Sequence, residues 1–114
     1  MPGSLATQIP QIDGLAAISH RFQSRFREHR AYFLAQCAAM EATGSSAALQ
    51  NIAERAHRLA GVAQTLGFDA VGESTIALDR VISRGLGQGR DPAAIWAEAA
   101  PHLNRLLGEL AQRG

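Results

Sequence analysis

Apolar side chains recur at steps of three and four residues along most of this chain, and this spacing restricts the fold more than any other feature. The first such run covers residues 12–43, and its stripe extends from Leu15 to Met40 and includes His29 and Cys37. Steps of three and four keep side chains on one face of an α-helix. No stretch alternates apolar and polar residues over a useful length, as a half-buried β-strand does. The sequence therefore predicts an all-α protein.

The second helix has a signal at each end. Ser45 and Ser46 offer an N-cap for a helix over about residues 46–66. Gly67 is expected to end this helix in the left-handed conformation. Its buried stripe is predicted to be Leu49, Ile52, Ala56, Leu59, Ala63 and Leu66.

Two further helices follow. The third is expected over about residues 69–84 with Asp69 as its cap, and the glycine-rich residues 85–91 are expected to form a loop. Proline after a cap residue favours a helix start, so the last helix is expected to begin at Asp91-Pro92 and to run to about residue 112. Its apolar stripe is predicted to include Trp96 as a core anchor.

Pro101 lies inside the last helix and is expected to kink or break it, because proline removes one backbone hydrogen bond.

Four helices with short connections pack most economically as an antiparallel up-down bundle. The predicted architecture is therefore a four-helix bundle over residues 12–114, preceded by a short flexible arm at residues 1–11 that contains two prolines and a glycine.

Composition and charge exclude several classes of function. The chain has 11 basic and 10 acidic residues, so no strong field favours nucleic acid or a membrane surface. No apolar run approaches the roughly 18 residues of a membrane span, and the N-terminus lacks the pattern of a signal peptide. The single cysteine, Cys37, suits a reducing compartment, and no histidines or acids have metal-ligand spacing. A cytoplasmic protein without a metal site is expected.

His57 lies off the buried side of the second helix. At 100° per residue it is about 130° from the centre of the stripe, and Glu54, Gly61 and Gln64 project in its general direction. A glycine inside a helix costs about 1 kcal/mol relative to alanine. What Gly61 supplies is clearance beside the ring for an approaching partner. An incidental surface histidine next to a tolerated glycine is the alternative.

The stretch HRLAGVAQTLGF, which begins at His57, resembles the signature of histidine phosphotransfer (HPt) domains of bacterial two-component phosphorelays. The helix order and overall length are also similar, and Leu78-Asp79 resembles the leucine and acid of the family's following helix. The residues that match the central motif are His57, Leu59, Gly61, Ala63 and Gly67.

This resemblance implies that His57 accepts a phosphoryl group from an aspartate of a receiver domain and passes it to another receiver. It implies Nε2 as the phosphorylated nitrogen. Glu54 or Gln50 is hypothesised to bond Nδ1 and set the tautomer. The Mg²⁺ would belong to the receiver, so no cofactor is expected on this chain. It would be a monomeric carrier without an ATP site rather than a kinase.

The residues around the histidine carry further expectations. Ala60 stands where the family often has lysine, and Arg58 is expected either to reach the phosphoryl group or to face solvent. Ala53 and Ala60 are expected to form a flat docking patch beside His57, or else to pack as ordinary helix alanines. The missing lysine leaves open an alternative function, a non-transferring helical module that binds and regulates a receiver or a sensor kinase.

Overall fold

A computed structural model describes residues 14–113 of the chain, with side chains described as far as residue 111. Residues 14–24 form a helix, α1, and four longer helices follow it, and no strand occurs within the described range. The predicted all-α four-helix bundle is confirmed, while the predicted arm at residues 1–11 lies outside the described residues. The four bundle helices are α2 (Phe26–Thr43), α3 (Ser46–Thr65), α4 (Asp69–Gly87) and α5 (Pro92–Arg113).

Short connections make successive bundle helices antiparallel. Ser45 is the N-cap of α3, and its hydroxyl accepts a hydrogen bond from the backbone N–H of Ala47 at 3.0 Å. Gly67 follows α3 with φ +83°, a left-handed conformation that side chains other than hydrogen disfavour. Both ends of α3 are therefore formed as the sequence predicted, which fixes the helix that carries His57.

The core lies between all four bundle helices, and α3 packs most extensively against α4. Aliphatic side chains provide most of it, because the chain has few aromatic residues. Phe22, Phe26 and Phe68 form an aromatic cluster at one end, with ring centroids 5.2 to 5.5 Å apart. The largest fully buried side chains are Phe26, Phe33, Leu49, Ile52, Leu78, Ile82, Ile95, Leu103, Leu106 and Leu110.

Helix α4 begins at the predicted residue, but its end and its cap differ from the prediction. It continues to Gly87, so part of the predicted loop is helical. Gly85 is buried, and a Cβ on it would lie 2.6 Å from Cγ1 of Ile95. This glycine therefore permits close packing of α4 on α5 instead of ending the helix. Asp69 is the first residue of α4 and not its cap, since Phe68 holds the cap position without a side-chain hydrogen bond.

The first predicted helix is also corrected. Arg25 forms a turn that separates α1 from α2, where one continuous helix was expected. Leu15 and Ile18, which belong to the apolar stripe of the predicted helix and were expected to face the core, are 61% and 48% exposed. Helix α1 meets the bundle through Phe22, which packs on Phe26 and Phe68, and its earlier apolar residues remain at the surface.

The last helix begins at Pro92, as predicted, and continues through Pro101 without a break. Ile95 and Ala99 are fully buried in it, whereas Trp96, the expected anchor, is only partly buried against the core. Within residues 14–113 no helix is long and apolar enough to cross a membrane.

Candidate functional site

His57 projects from the middle of α3 into solvent, and its side chain is 78% exposed. The imidazole Nδ1 lies 2.9 Å from Oδ2 of Asp79, a carboxylate on α4 that is 24% exposed. The hypothesis that Glu54 or Gln50 bonds Nδ1 of His57 is therefore wrong, because the partner of Nδ1 is Asp79. The hydrogen bond comes from the neighbouring helix and not from the preceding turn of the same helix.

The partner of Nδ1 determines where the ring carries its lone pair. An ionised carboxylate has only acceptor atoms, so Nδ1 of His57 must donate its N–H to Asp79. In the neutral ring, Nε2 then holds the unprotonated lone pair. An exposed ring with a bonded Nδ1 is therefore a nucleophile whose reactive atom is Nε2.

His57 and Asp79 line a shallow groove between α3 and α4 with a cavity volume of about 510 Å³, called here the α3–α4 groove. Ser83, one turn after Asp79, donates its hydroxyl proton to Oδ1 of that carboxylate at 2.9 Å. Arg58 is the cationic side chain of the groove lining, and Glu54 is a second acidic side chain in it beside Asp79. The lining residues are Ala53, Glu54, His57, Arg58, Asp79 and Ser83.

The remaining residues that the sequence singled out are divided between surface and interior. Gly61 has open space around the position where a Cβ would lie, so the clearance beside the ring exists. Gln64 reaches across to α4, where its Cγ would lie 3.0 Å from a Cβ on Gly72. Ala53 and Ala60 are buried, which matches ordinary helix packing better than an exposed docking patch.

A second groove flanks α3 on its other side and has a cavity volume of about 440 Å³. Here Nδ1 of His29, on α2, lies 2.9 Å from an Nη atom of Arg55, and the guanidinium stacks 3.8 Å from the ring centroid of Tyr32. This α2–α3 groove is lined by Phe22, Arg25, Glu28, His29, Arg55, Arg58, Leu59 and Val62.

The pKa of His29 is lowered from 6.5, first by burial and then by the neighbouring charge of Arg55. Burial also raises the pKa of the Cys37 thiol, which packs against the core. Among the described residues no group of three or more His, Cys, Asp and Glu side chains is arranged to hold a metal ion.

Sequence reasoning missed the role of Asp79 and gave none to Ser83. Asp79 was noted as part of a motif, yet the pattern on its own helix contains no information about which residue of α3 it meets. The signal that could have found the pair is helical spacing: Asp79 and Ser83 are four residues apart and therefore share a face of α4.

A family model described as "Hpt domain" matches residues 5–113, which is nearly the whole chain. Neither the search of curated proteins nor the search of solved structures found a match.

Proposed function

The chain belongs to the Hpt domain family, and on that premise we propose that His57 carries a phosphoryl group between the aspartates of two receiver domains. Hpt domains are phosphocarriers of phosphorelays rather than enzymes with an ATP site. The observation that supports the role of His57 is its geometry. Its ring is exposed while Nδ1 is bonded to Asp79, so that Nε2 points its lone pair toward a docking partner.

The transfer follows from this arrangement. The Nε2 lone pair attacks the phosphorus of the aspartyl phosphate in line with the departing oxygen. A P–N bond forms, the P–O bond breaks, and the electron pair leaves on the receiver's carboxylate. The imidazole gains a positive charge and keeps its Nδ1 proton, and the Asp79 carboxylate 2.9 Å away stabilises that charge. Transfer to a second receiver reverses these steps.

The phosphoryl oxygens also need a cation on this chain or its partner. Ala60 cannot provide one, and it is buried. Arg58 is exposed and lines the grooves on both sides of His57, so it is the residue we assign to this task. The Mg²⁺ that supports such transfer would be held by the receiver's carboxylates.

The proposed partners are receiver domains of response regulators or hybrid sensor kinases, which the protein would meet as a monomer in the cytoplasm. The open space beside Gly61 supports docking directly over the ring. The near-neutral charge of the chain argues against nucleic acid as a partner.

The test is phosphorylation of the purified protein by a panel of phosphorylated receiver domains, run beside His57→Gln. We expect label on the wild type that survives base, is lost in acid and is absent from His57→Gln. His20→Gln is the matched control, because His20 is an exposed histidine on α1, away from the groove, and it should label like the wild type.

Two results would contradict the proposal. Label that persists in His57→Gln would place the phosphoryl group elsewhere. Receivers that bind without labelling the wild type would favour the non-transferring module, for which the absence of the family's usual lysine at Ala60 is the supporting observation.

A further inference from the structure

Both oxygens of the Asp79 carboxylate are occupied in the α3–α4 groove. Oδ2 accepts from His57 Nδ1 at 2.9 Å, and Oδ1 accepts from the Ser83 hydroxyl, also at 2.9 Å. The three side chains therefore form one chain of hydrogen bonds, Ser83 to Asp79 to His57. Asp79 and Ser83 are one turn apart on α4, so the second half of this chain is built within a single helix.

The hydroxyl of Ser83 does not follow the pattern of three other helical hydroxyls in this protein. Thr43, Thr65 and Thr75 each donate to the backbone carbonyl four residues earlier. That is the usual local bond of a hydroxyl inside a helix. Ser83 donates instead to the side chain four residues earlier. Its hydroxyl is thus directed toward the groove and not toward its own backbone.

This bond restricts a side chain that otherwise has rotational freedom. The terminal torsion of aspartate is broad and roughly two-fold, so a partly exposed carboxylate samples several orientations. A hydrogen bond to Oδ1 selects the orientation in which Oδ2 faces His57. The effect on His57 is indirect, because Ser83 acts on the ring only through Asp79.

We infer that Ser83 is a positioning residue for phosphotransfer, which fixes the Asp79 carboxylate and so holds His57 with its proton on Nδ1 and its lone pair on Nε2. This inference rests on the proposed function of His57. It adds a residue on α4 that the sequence did not suggest. Because Ser83 is exposed, its replacement leaves the core of the bundle unchanged.

The first measurement is the tautomer of His57, read from ¹⁵N chemical shifts of the imidazole in wild type, Ser83→Ala and Ser83→Thr. Ser83→Ala should reduce the population with the proton on Nδ1. Ser83→Thr keeps a hydroxyl at the same position and should restore it. A purely structural role for Ser83 would leave these shifts unchanged, so equal spectra for wild type and Ser83→Ala would overturn the inference.

The second measurement is the single-turnover rate of His57 phosphorylation, with a phosphorylated receiver and with phosphoramidate as a small-molecule donor. Ser83→Ala should slow both reactions by about threefold to tenfold, the range expected for the net contribution of one hydrogen bond that is exposed to solvent. The receiver concentration at half-maximal rate should not change. Thr43→Ala, which removes a hydroxyl that bonds its own backbone, is the matched control and should react like the wild type.

A double-mutant cycle separates action through Asp79 from any direct effect. In an Asp79→Ala background, adding Ser83→Ala should cause no further loss of rate. An equal loss in both backgrounds would contradict positioning through Asp79.

The outcomes for this inference and for the proposed function are distinct. If neither donor labels His57, the proposed function fails, whatever the spectra show. If His57 is labelled and Ser83→Ala reacts as fast as the wild type, only the role of Ser83 fails.

Discussion

His57 and His29 lie in two grooves that flank α3, and their Nδ1 atoms have partners of opposite charge. Nδ1 of His57 donates to the Asp79 carboxylate, whereas Nδ1 of His29 accepts from the Arg55 guanidinium. In their neutral forms the two rings are therefore held in opposite tautomers. His57 has its lone pair on Nε2 and is exposed, while His29 has a proton on Nε2 and is half-buried. Only the first ring can act as a nucleophile toward a docked partner.

This difference indicates what the proposed role of His57 requires in addition to an exposed imidazole ring. A carboxylate behind the ring stabilises the positive charge that develops on transfer, and a guanidinium opposes it. The acidic partner is fixed by Ser83, and the basic partner is fixed by stacking on Tyr32. Each histidine thus has a partner that is itself in contact with a further residue.

Reversing the charge at residue 79 should have the largest effect, because it removes the difference between the partners of the two histidines. Asp79→Arg would place a donor against Nδ1 of His57 and give it the environment of His29. The ring should shift to the tautomer with the proton on Nε2, and transfer should fall by at least about 100-fold, because Nε2 then has no free lone pair with which to attack the phosphorus. Single-turnover phosphorylation and ¹⁵N imidazole shifts measure the two effects.

Two variants serve as controls for the charge exchange. Asp79→Asn keeps an acceptor oxygen but loses the negative charge, so its transfer rate should lie between those of the wild type and Asp79→Arg. Glu73→Arg makes the same charge change at an exposed position of α4 and should transfer normally. Equal losses in Glu73→Arg and Asp79→Arg would mean that net charge, and not the contact with Nδ1, controls the rate.

The fold was largely predictable from sequence because its signals are local. The Ser45 cap, the left-handed Gly67 and the start at Pro92 each depend on neighbouring residues, and all three are confirmed. Gly85 was wrongly predicted to lie in a loop. A glycine is needed there because Ile95, on another helix, leaves no room for a Cβ. The exposure of Leu15 was missed for the same reason, since periodicity identifies an apolar face without showing what covers it.

The candidate site, like the fold, was predictable only where its features depend on a single helix. The position of His57 off the buried stripe and the clearance at Gly61 follow from helix geometry within α3, and both could be predicted. Asp79 lies 22 residues away from His57, and Arg55 lies 26 residues away from His29. Those contacts depend on how the helices rotate against each other, which no pattern within one helix specifies.

Substitutions at Gly61 test docking separately, because they leave the tautomer of His57 unchanged. Gly61→Ala should raise the free energy of unfolding by about 1 kcal/mol, and Gly61→Gln by roughly half as much, since both residues are better helix formers than glycine. The Gln side chain should nevertheless slow transfer from a receiver by roughly tenfold, because it prevents close approach in line with Nε2. Ala should have a smaller effect.

Phosphoramidate provides the control for Gly61, because a small donor does not need the clearance that a protein domain needs. Both Gly61 variants should react with phosphoramidate at close to the wild-type rate. Normal transfer from receivers to Gly61→Gln would show that the open space at this position has no role in docking.

The smallest expected effect concerns the other groove and is a change of stability with pH. Burial and the charge of Arg55 hold the pKa of His29 below 6.5 in the folded protein. As the pH falls below about 6.5, the unfolded chain therefore binds a proton that the folded ring still excludes, and the free energy of unfolding decreases until the lowered pKa is reached.

His29→Gln can still accept a hydrogen bond from Arg55 but cannot titrate. Urea denaturation of both proteins between pH 7.5 and 5 should show a steeper loss for the wild type, and the difference between them cancels the other titrating groups. If the two curves fall in parallel, Arg55 and burial do not keep His29 neutral, and the contrast between the two histidines reduces to their exposure.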